Sequence, residues 1–290
     1  MFMYASRMKT LKYPSNCHTH CYLDDGHESL ESYVVQALKI GFTSIGFSCH
    51  TPLNSQNDEW RLQAEDYPVY IDEISRLKQK YSEKIEIYAG LEMDYLDDTG
   101  TLAGSEFADD LDYSIASVHG MFHKPTGTYL TIDGPVEEFE ILLRDNFSGD
   151  IRQMVAYYYD LQKSLIRNYT FDVLAHCDLI KKRNTNNRFF DQNESWYQDL
   201  SLSMLDEAGK AGTRIEVNTG GLSRGATTEV YPNKLMLHKC AEMGLPLIIS
   251  ADAHNPEHLD YYYDEALREM NAAGCRNIQY LEKGTWRVLD

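Results

Sequence analysis

The sequence predicts an α/β fold: a mostly parallel sheet closed into a distorted (βα)7, TIM-like barrel. Three observations carry that prediction. Short apolar runs alternate with longer stretches whose apolar residues recur three and four apart. The short runs are continuously apolar, as strands buried on both faces require. No glycine-rich phosphate loop joins a strand to its helix, so the competing doubly wound nucleotide fold is unsupported.

The elements follow in order. An opening segment near residues 11–17 reads as the first strand. The next are TSIGFSC at 43–49, IEIYAGL at 85–91 and YSIASV at 113–118, then FDVLA at 171–175, RIEV at 214–217 and LIISA at 247–251. Helical patterns lie between them at 29–41, 70–82, 152–168, 196–212, 233–244 and 261–274, several ending at glycine. Residues 27–29, His-Glu-Ser, suit the first helix start. The Asn-rich stretch 181–195 reads as a long loop. This makes about seven βα units. No linker divides the chain, so residues 1–290 are expected to form one barrel domain.

Composition narrows the function. The formal net charge of -18 argues against a long nucleic-acid partner, which needs a basic footprint. A small anion remains possible, because a metal inverts the local field. The start MFMYASRMKT holds no apolar run of signal-peptide or membrane-span length, and the six cysteines are scattered. Free thiols and a cytoplasmic location are the expectation.

The informative feature is positional. His18 and His20 follow the first strand, His50 the second, Glu92 the third, His119 the fourth and His176 the fifth; Asp252 and His254 follow the last. In a parallel barrel these strand ends meet on one face. Residues two apart in extended chain point the same way, so His18 with His20, and Asp252 with His254, each present a pair. Imidazole and carboxylate together suit borderline divalent metals, and this many donors imply more than one ion. Asp25 precedes Gly26, whose turn aims a carboxylate inward, while Asp24 caps or solvates that turn. His27, His123, His238 and His258 are read as structural or surface residues.

These residues carry a resemblance. HTH at 18–20, DG at 25–26, CH at 49–50, GLEMDY at 90–95 and SVH at 117–119 resemble the polymerase-and-histidinol-phosphatase (PHP) superfamily. AHCDLIKK at 175–182, EVNTGGLSRG at 216–225 and SADAH at 250–254 continue it and are similar to the monofunctional histidinol-phosphatases. The resemblance implies a distorted barrel with three divalent ions, zinc first and iron or manganese as alternatives. It assigns His18, His20, Glu92 and Asp252 to one ion; Glu92, His119 and His176 to a second; and Asp25, His50 and His254 to the third. Many relatives carry histidine where this chain has Asp25.

The implied activity is hydrolysis of L-histidinol phosphate by a metal-activated hydroxide. Glu92 serves catalysis as the bridge, and Asp252 or His254 moves the leaving-group proton. Arg224 and Lys181, with Arg183, are the candidate phosphate clamps. Asn218, Glu216 and Asp178 are candidates for the amine and ring of the substrate. The alternatives are a PHP-type phosphoesterase acting on nucleotides or nucleic-acid ends, which shares the metal donors, and a regulatory module without chemistry. The expected partner is a small phosphorylated amino alcohol, with no membrane; oligomeric state is not legible.

Overall fold

A computed structural model describes residues 13–53 and 59–289. The expected opening strand is confined to β1 (Ser15–Asn16); residues 11 and 12 lie outside the described residues. α1 (Leu30–Ile40) begins at Ser29, whose hydroxyl accepts from the Ser32 amide, and ends at Gly41 in the left-handed region. It buries Leu30, Tyr33, Val34 and Ala37, one face of the helix. Then come β2 (Ser44–Phe47), α2 (Tyr67–Tyr81), β3 (Glu86–Ala89) and β4 (Glu92–Leu96). β5 (Thr101–Leu102) folds back antiparallel on β4, and β6 (Ile115–Ser117) follows.

Several elements lie outside the repeat expected from the sequence, β5 among them. A hairpin of β7 (Gly120–His123) and β8 (Thr128–Thr131) leads into α3 (Val136–Phe147). The regular order then resumes with α4 (Ile151–Asn168), β9 (Val173–Leu174), α5 (Ser195–Ala211), β10 (Arg214–Asn218), the single turn α6 (Gly220–Ser223), α7 (Lys234–Met243), β11 (Leu247–Ser250) and α8 (Tyr263–Ala273). A second hairpin, β12 (Gln279–Glu282) and β13 (Thr285–Val288), ends the described chain.

The staves of the barrel run β1, β2, β3 with β4, β6, β9, β10, β11, all parallel. The expected strand 85–91 breaks at Gly90-Leu91, and the chain crosses from β3, paired with β2, to β4, paired with β6. Glu92 therefore opens a strand instead of following one. A bridge between His50 and Glu92 spans the break, and a bridge between Thr19 and Ala253 closes the ring. The closure is carried by the His20 amide on the Ala253 carbonyl at 3.0 Å and the Ala253 amide on the His18 carbonyl at 3.1 Å.

Alternation along the staves separates two cores. Ile45, Phe47, Ile87, Ala116, Leu174, Val217 and Ile249 pack outward with the helices. Tyr88, Tyr113, Ile115, Val173, Ala175 and Ile248 form a separate cluster inside. The β12–β13 hairpin caps the end where the strands begin. There the Ser44 hydroxyl donates to the Leu281 carbonyl at 2.7 Å, the Trp286 indole to Asp172 at 3.0 Å, and the Lys283 amide to Glu86 at 2.7 Å. Only the opposite end, where the strands finish, is left for a site. No helix among the described residues is long and apolar enough to cross a membrane.

The Tyr113 hydroxyl, buried in the interior cluster, donates toward the carbonyls of Cys17 at 2.6 Å and Phe47 at 2.9 Å, so one side chain ties two neighbouring staves. Tyr113→Phe is expected to lower unfolding free energy by about 1–2 kcal/mol, read as a lower urea midpoint, because buried acceptors lose their donor. An unchanged midpoint would show that the staves hold without it.

Candidate metal centre

Residues alternate inward along each stave, and successive inward layers change character towards the open end. On β6 the series Ile115, Ser117, His119 runs from apolar to polar to imidazole; on β11 it continues as Ile248, Ser250, Asp252. The nine side chains singled out at the strand ends converge. Donor atoms lie within 4.8 Å of one another in four overlapping groups: His20, Asp25, His50 and His254; His18, Glu92 and His176; His18, His20 and Asp252; and His50, Glu92 and His119.

Glu92 belongs to two of these groups and is 1% exposed. Its Oε1 lies 2.9 Å from His176 Nε2 and 3.2 Å from His119 Nε2. Its Oε2 lies 3.1 Å from His18 Nε2, 3.1 Å from His50 Nδ1 and 3.7 Å from His20 Nε2. Asp252 completes the floor, with Oδ1 at 3.3 Å from His20 Nε2 and 3.8 Å from His18 Nε2. Its backbone sits at φ 49, a conformation few residues other than glycine adopt. Asp25 Oδ2 meets His254 Nε2 at 3.1 Å. The turn that delivers Asp25 needs Gly26, since a Cβ there would stand 2.4 Å from the Cys21 amide nitrogen.

The far side of several imidazoles is committed to a carboxylate. His18 Nδ1 lies 2.6 Å from Glu216, His20 Nδ1 2.7 Å from Asp24, and His119 Nδ1 2.8 Å from Asp94. This arrangement fixes the ring and its tautomer and turns Nε2 inward, the usual support for a metal-binding histidine. Among the described residues, five atoms at the centre are buried without a hydrogen-bond partner: His18 Nε2, His20 Nε2, Asp25 Oδ1, His50 Nδ1 and Glu92 Oε2. Orphaned donors of these kinds, all facing one space, fit divalent cations. Asp24 takes the supporting role: besides His20 it accepts from the amides of Cys21 at 2.8 Å and His50 at 3.1 Å.

The electrostatics express the same demand. Burial opposes charge on His18, but Glu216 and Glu92 outweigh it and raise its pKa well above the ordinary 6.5. His119 is raised against burial by Glu92 and Asp94, and His20 by Asp24. Glu92 is held well below the usual carboxylate range, against burial, by His119 and His18. Burial wins only at His50, which is pushed down to about 4. The centre calls for positive charge, which protons or metal ions can supply.

Above this floor opens a cavity of about 460 Å³, lined among others by Trp60, Thr131, Asp133, Glu138, Lys182, Arg183 and Arg224. Arg224 follows α6, where a Cβ on Gly220 would stand 2.8 Å from its own Nη2, so the glycine lets the guanidinium fold back. That guanidinium reaches Asp252 Oδ2 at 2.8 Å and His254 Nδ1 at 3.1 Å.

Two expected substrate contacts are corrected. Lys181 turns beneath the surface, where its ammonium is neutralised by Asp178 at 2.7 Å and Glu229 at 3.1 Å; it does not line the cavity. The short 3₁₀ turn Leu179–Lys181 points successive side chains in different directions, and Lys182 and Arg183 take the cavity wall instead. Asn218 is fully buried under the floor, its amide on Glu216 at 3.0 Å. Glu216 and Asp178 are likewise committed, Glu216 to His18 and the His176 amide, Asp178 to Lys181 and the Asn233 amide. Asp94, Asp133, Glu138, Trp60 and Lys182 were not expected in these places. Only Asp94 carried a signal, since it stands two residues after Glu92 and so faces the same way.

The raised imidazoles set a pH dependence for metal-stripped protein. Folded pKa values above 6.5 give stability that is complete below pH 6.5 and lost as pH rises through them. The thermal midpoint of chelator-treated protein is expected to fall from about pH 6.5 to about pH 8.5, while protein loaded with divalent ions holds its midpoint over that range. Parallel profiles for the two forms would contradict this electrostatic account.

Comparison with known proteins agrees with the fold. The chain is 28% identical over 252 residues to a probable histidinol-phosphatase of Deinococcus radiodurans, covering 86% of this chain and 88% of that one. It is 29% identical over 271 residues to the histidinol-phosphatase of Bacillus subtilis, covering 88% of this chain and 98% of that one. Its fold matches the crystal structure of histidinol phosphate phosphatase from Lactococcus lactis, complexed with zinc, L-histidinol and phosphate. That match has a TM-score of 0.70 and 18% identity, over 94% of this chain and 98% of that one. A family model for the PHP domain matches residues 15–220, most of the barrel with its convergent histidines and carboxylates: the chain belongs to the PHP domain family.

Proposed function

We propose that this protein is a metal-dependent phosphomonoesterase that hydrolyses L-histidinol phosphate to L-histidinol and phosphate. The observation that carries the reading is Glu92 set among imidazoles at the base of a cavity whose wall holds Lys182, Arg183 and Arg224. Donors at the base suit divalent cations, and cations on the wall suit a phosphate dianion. The names of the similar proteins supply the alcohol.

We read the donor set as three positions, two of which share Glu92. His18, His20, Glu92 and Asp252 would hold one ion, Glu92, His119 and His176 a second, and Asp25, His50 and His254 a third. Divalent ions held there would supply Lewis acidity toward phosphate oxygens and toward the attacking water. Zinc suits the N/O donors, as do iron and manganese.

The remaining work falls to the chain. Arg224 sits across Asp252 and His254 and would clamp a non-bridging phosphate oxygen in a fixed direction. Lys182 and Arg183, which line the same cavity, would neutralise the rest of the phosphate. Asp252 and His254, which line the cavity, are the groups placed to pass a proton to the departing alkoxide. Burial of Glu92 and its neighbours keeps bulk water from competing for the same charges.

Three measurements test this. Elemental analysis of protein purified without chelator is expected to find about three divalent ions per chain, and Glu92→Gln to lose metal together with about 10³-fold or more of kcat/KM. Active protein with one ion or none would defeat the trinuclear arrangement. Arg224→Ala is expected to cut kcat/KM about 10²-fold with metal content retained, chiefly through KM; equal loss of metal would make Arg224 structural. Finally, kcat/KM for L-histidinol phosphate should exceed that for simple phosphomonoesters, nucleotides, a phosphodiester and single-stranded oligonucleotides. A larger value for a nucleotide or diester would move the chain to the alternative phosphoesterase reading.

A further inference from the structure

Among the described residues, the cavity wall holds one carboxylate that no cationic side chain pairs with. Asp252 is paired with Arg224, Asp133 with Lys182 at 2.7 Å, and Asp94 with Arg61 at 2.5 Å. Glu138 is different. It is the third residue of α3, where the helix N-terminus favours a negative charge. Its Oε2 accepts from the Thr131 amide at 2.6 Å and the Thr131 hydroxyl at 2.7 Å, which fixes its direction. Among the described residues its Oε1 has no hydrogen-bond partner, and no lysine, arginine or histidine pairs with it.

Its position is equally specific. Beside the main cavity lies a second, smaller one of about 130 Å³, and Trp60, His119, Thr131 and Glu138 line both. The small pocket is walled by the rings of Trp60, Tyr95 and Tyr129. Its volume admits a single flat ring and little more. A molecule with phosphate over the metal-facing donors and its alcohol in that pocket would lie against His119 and Glu138, which line both spaces.

We infer that Glu138 is the specificity-determining carboxylate for substrates whose leaving alcohol carries a primary ammonium, and that the adjoining pocket receives a small ring on that alcohol. The inference rests on reading the cavity as a phosphomonoesterase site and adds where the organic part of the ester lies. A fixed, unpaired carboxylate gains most from a cationic partner, and a neutral or anionic group in its place leaves it desolvated without compensation. Aromatic walls suit a planar ring.

Wild type and Glu138→Gln would be compared on L-histidinol phosphate and on imidazolylpropyl phosphate, which lacks only the amine. The variant should lose about 10- to 100-fold in kcat/KM on the amine-bearing ester, mainly through KM, and stay within about threefold of wild type on the other. Calorimetric binding of L-histidinol to metal-loaded protein should weaken in parallel, with metal content unchanged. Equal losses on both esters, or none on the amine-bearing one, would overturn the assignment. If wild type fails to cleave L-histidinol phosphate, the proposed substrate falls, and phosphoethanolamine against ethyl phosphate then reads Glu138 separately. A wild-type preference for the aminated ester that Glu138→Gln abolishes supports the subsite; no such preference overturns it.

Discussion

A carboxylate buried at the centre of a ring of imidazoles is the constraint on which the rest of this structure depends. Glu92 has both oxygens within 3.7 Å of imidazole nitrogens from five different histidines, and almost no contact with solvent. Such a group is expensive to bury unless positive charge accompanies it. Around it, three of those histidines lean on Glu216, Asp24 and Asp94, and two of these carboxylates are held by further buried groups. Asp94 takes Arg61, and Glu216 takes Asn218 and Ser250. The polar network thus extends several layers into the barrel, and it concentrates its demand for cations where the nine side chains meet.

The fold accommodates this by dividing the barrel along its axis. Near the strand starts the interior is apolar, closed by the terminal hairpin with Leu281 and Trp286. Near the strand ends the same inward positions carry Ser, Glu, His and Asp. The two-residue period of a strand makes the division possible: one stave can end its apolar series and begin its polar one without turning over. The break between β3 and β4 is part of the same design, since it carries Glu92 from the β2 side of the barrel to the β6 side, between His50 and His119.

Against an overall charge of -18, the cavity wall gathers three cationic side chains. Lys182, Arg183 and Arg224 form a cationic wall over an anionic floor, each anchored by the fold: Lys182 on Asp133, Arg183 on the Asp133 carbonyl, Arg224 on Asp252. Anchored cations keep their geometry for an incoming anion. Net charge therefore speaks to long-range association with nucleic acid, and says little about a small anion that reaches an inverted pocket.

Much of this was legible in the chain itself. Strand runs and helical periods follow from local hydrophobic pattern, and parallel topology then brings strand ends to one face, so the sequence alone groups His18, His20, His50, Glu92, His119, His176, Asp252 and His254. Gly26 separated Asp25 from Asp24 because only a tight turn could tell the two carboxylates apart. What only the tertiary structure decided depends on contacts between segments distant in sequence. The terminal hairpin is recognised by where it docks, on the strand starts of β2, β3 and β9. Lys181 and Lys182 are indistinguishable as letters; a short turn buries the first against Asp178 and Glu229 and presents the second to the cavity. Glu216 and Asn218 lie at a strand end, as expected, but one layer too deep to meet a substrate. Glu138, on a helix with no counterpart in the regular βα repeat, reaches the site only because α3 folds back over the β7–β8 hairpin. Period and spacing are properties of a segment; depth, pairing and charge compensation are properties of the packed whole.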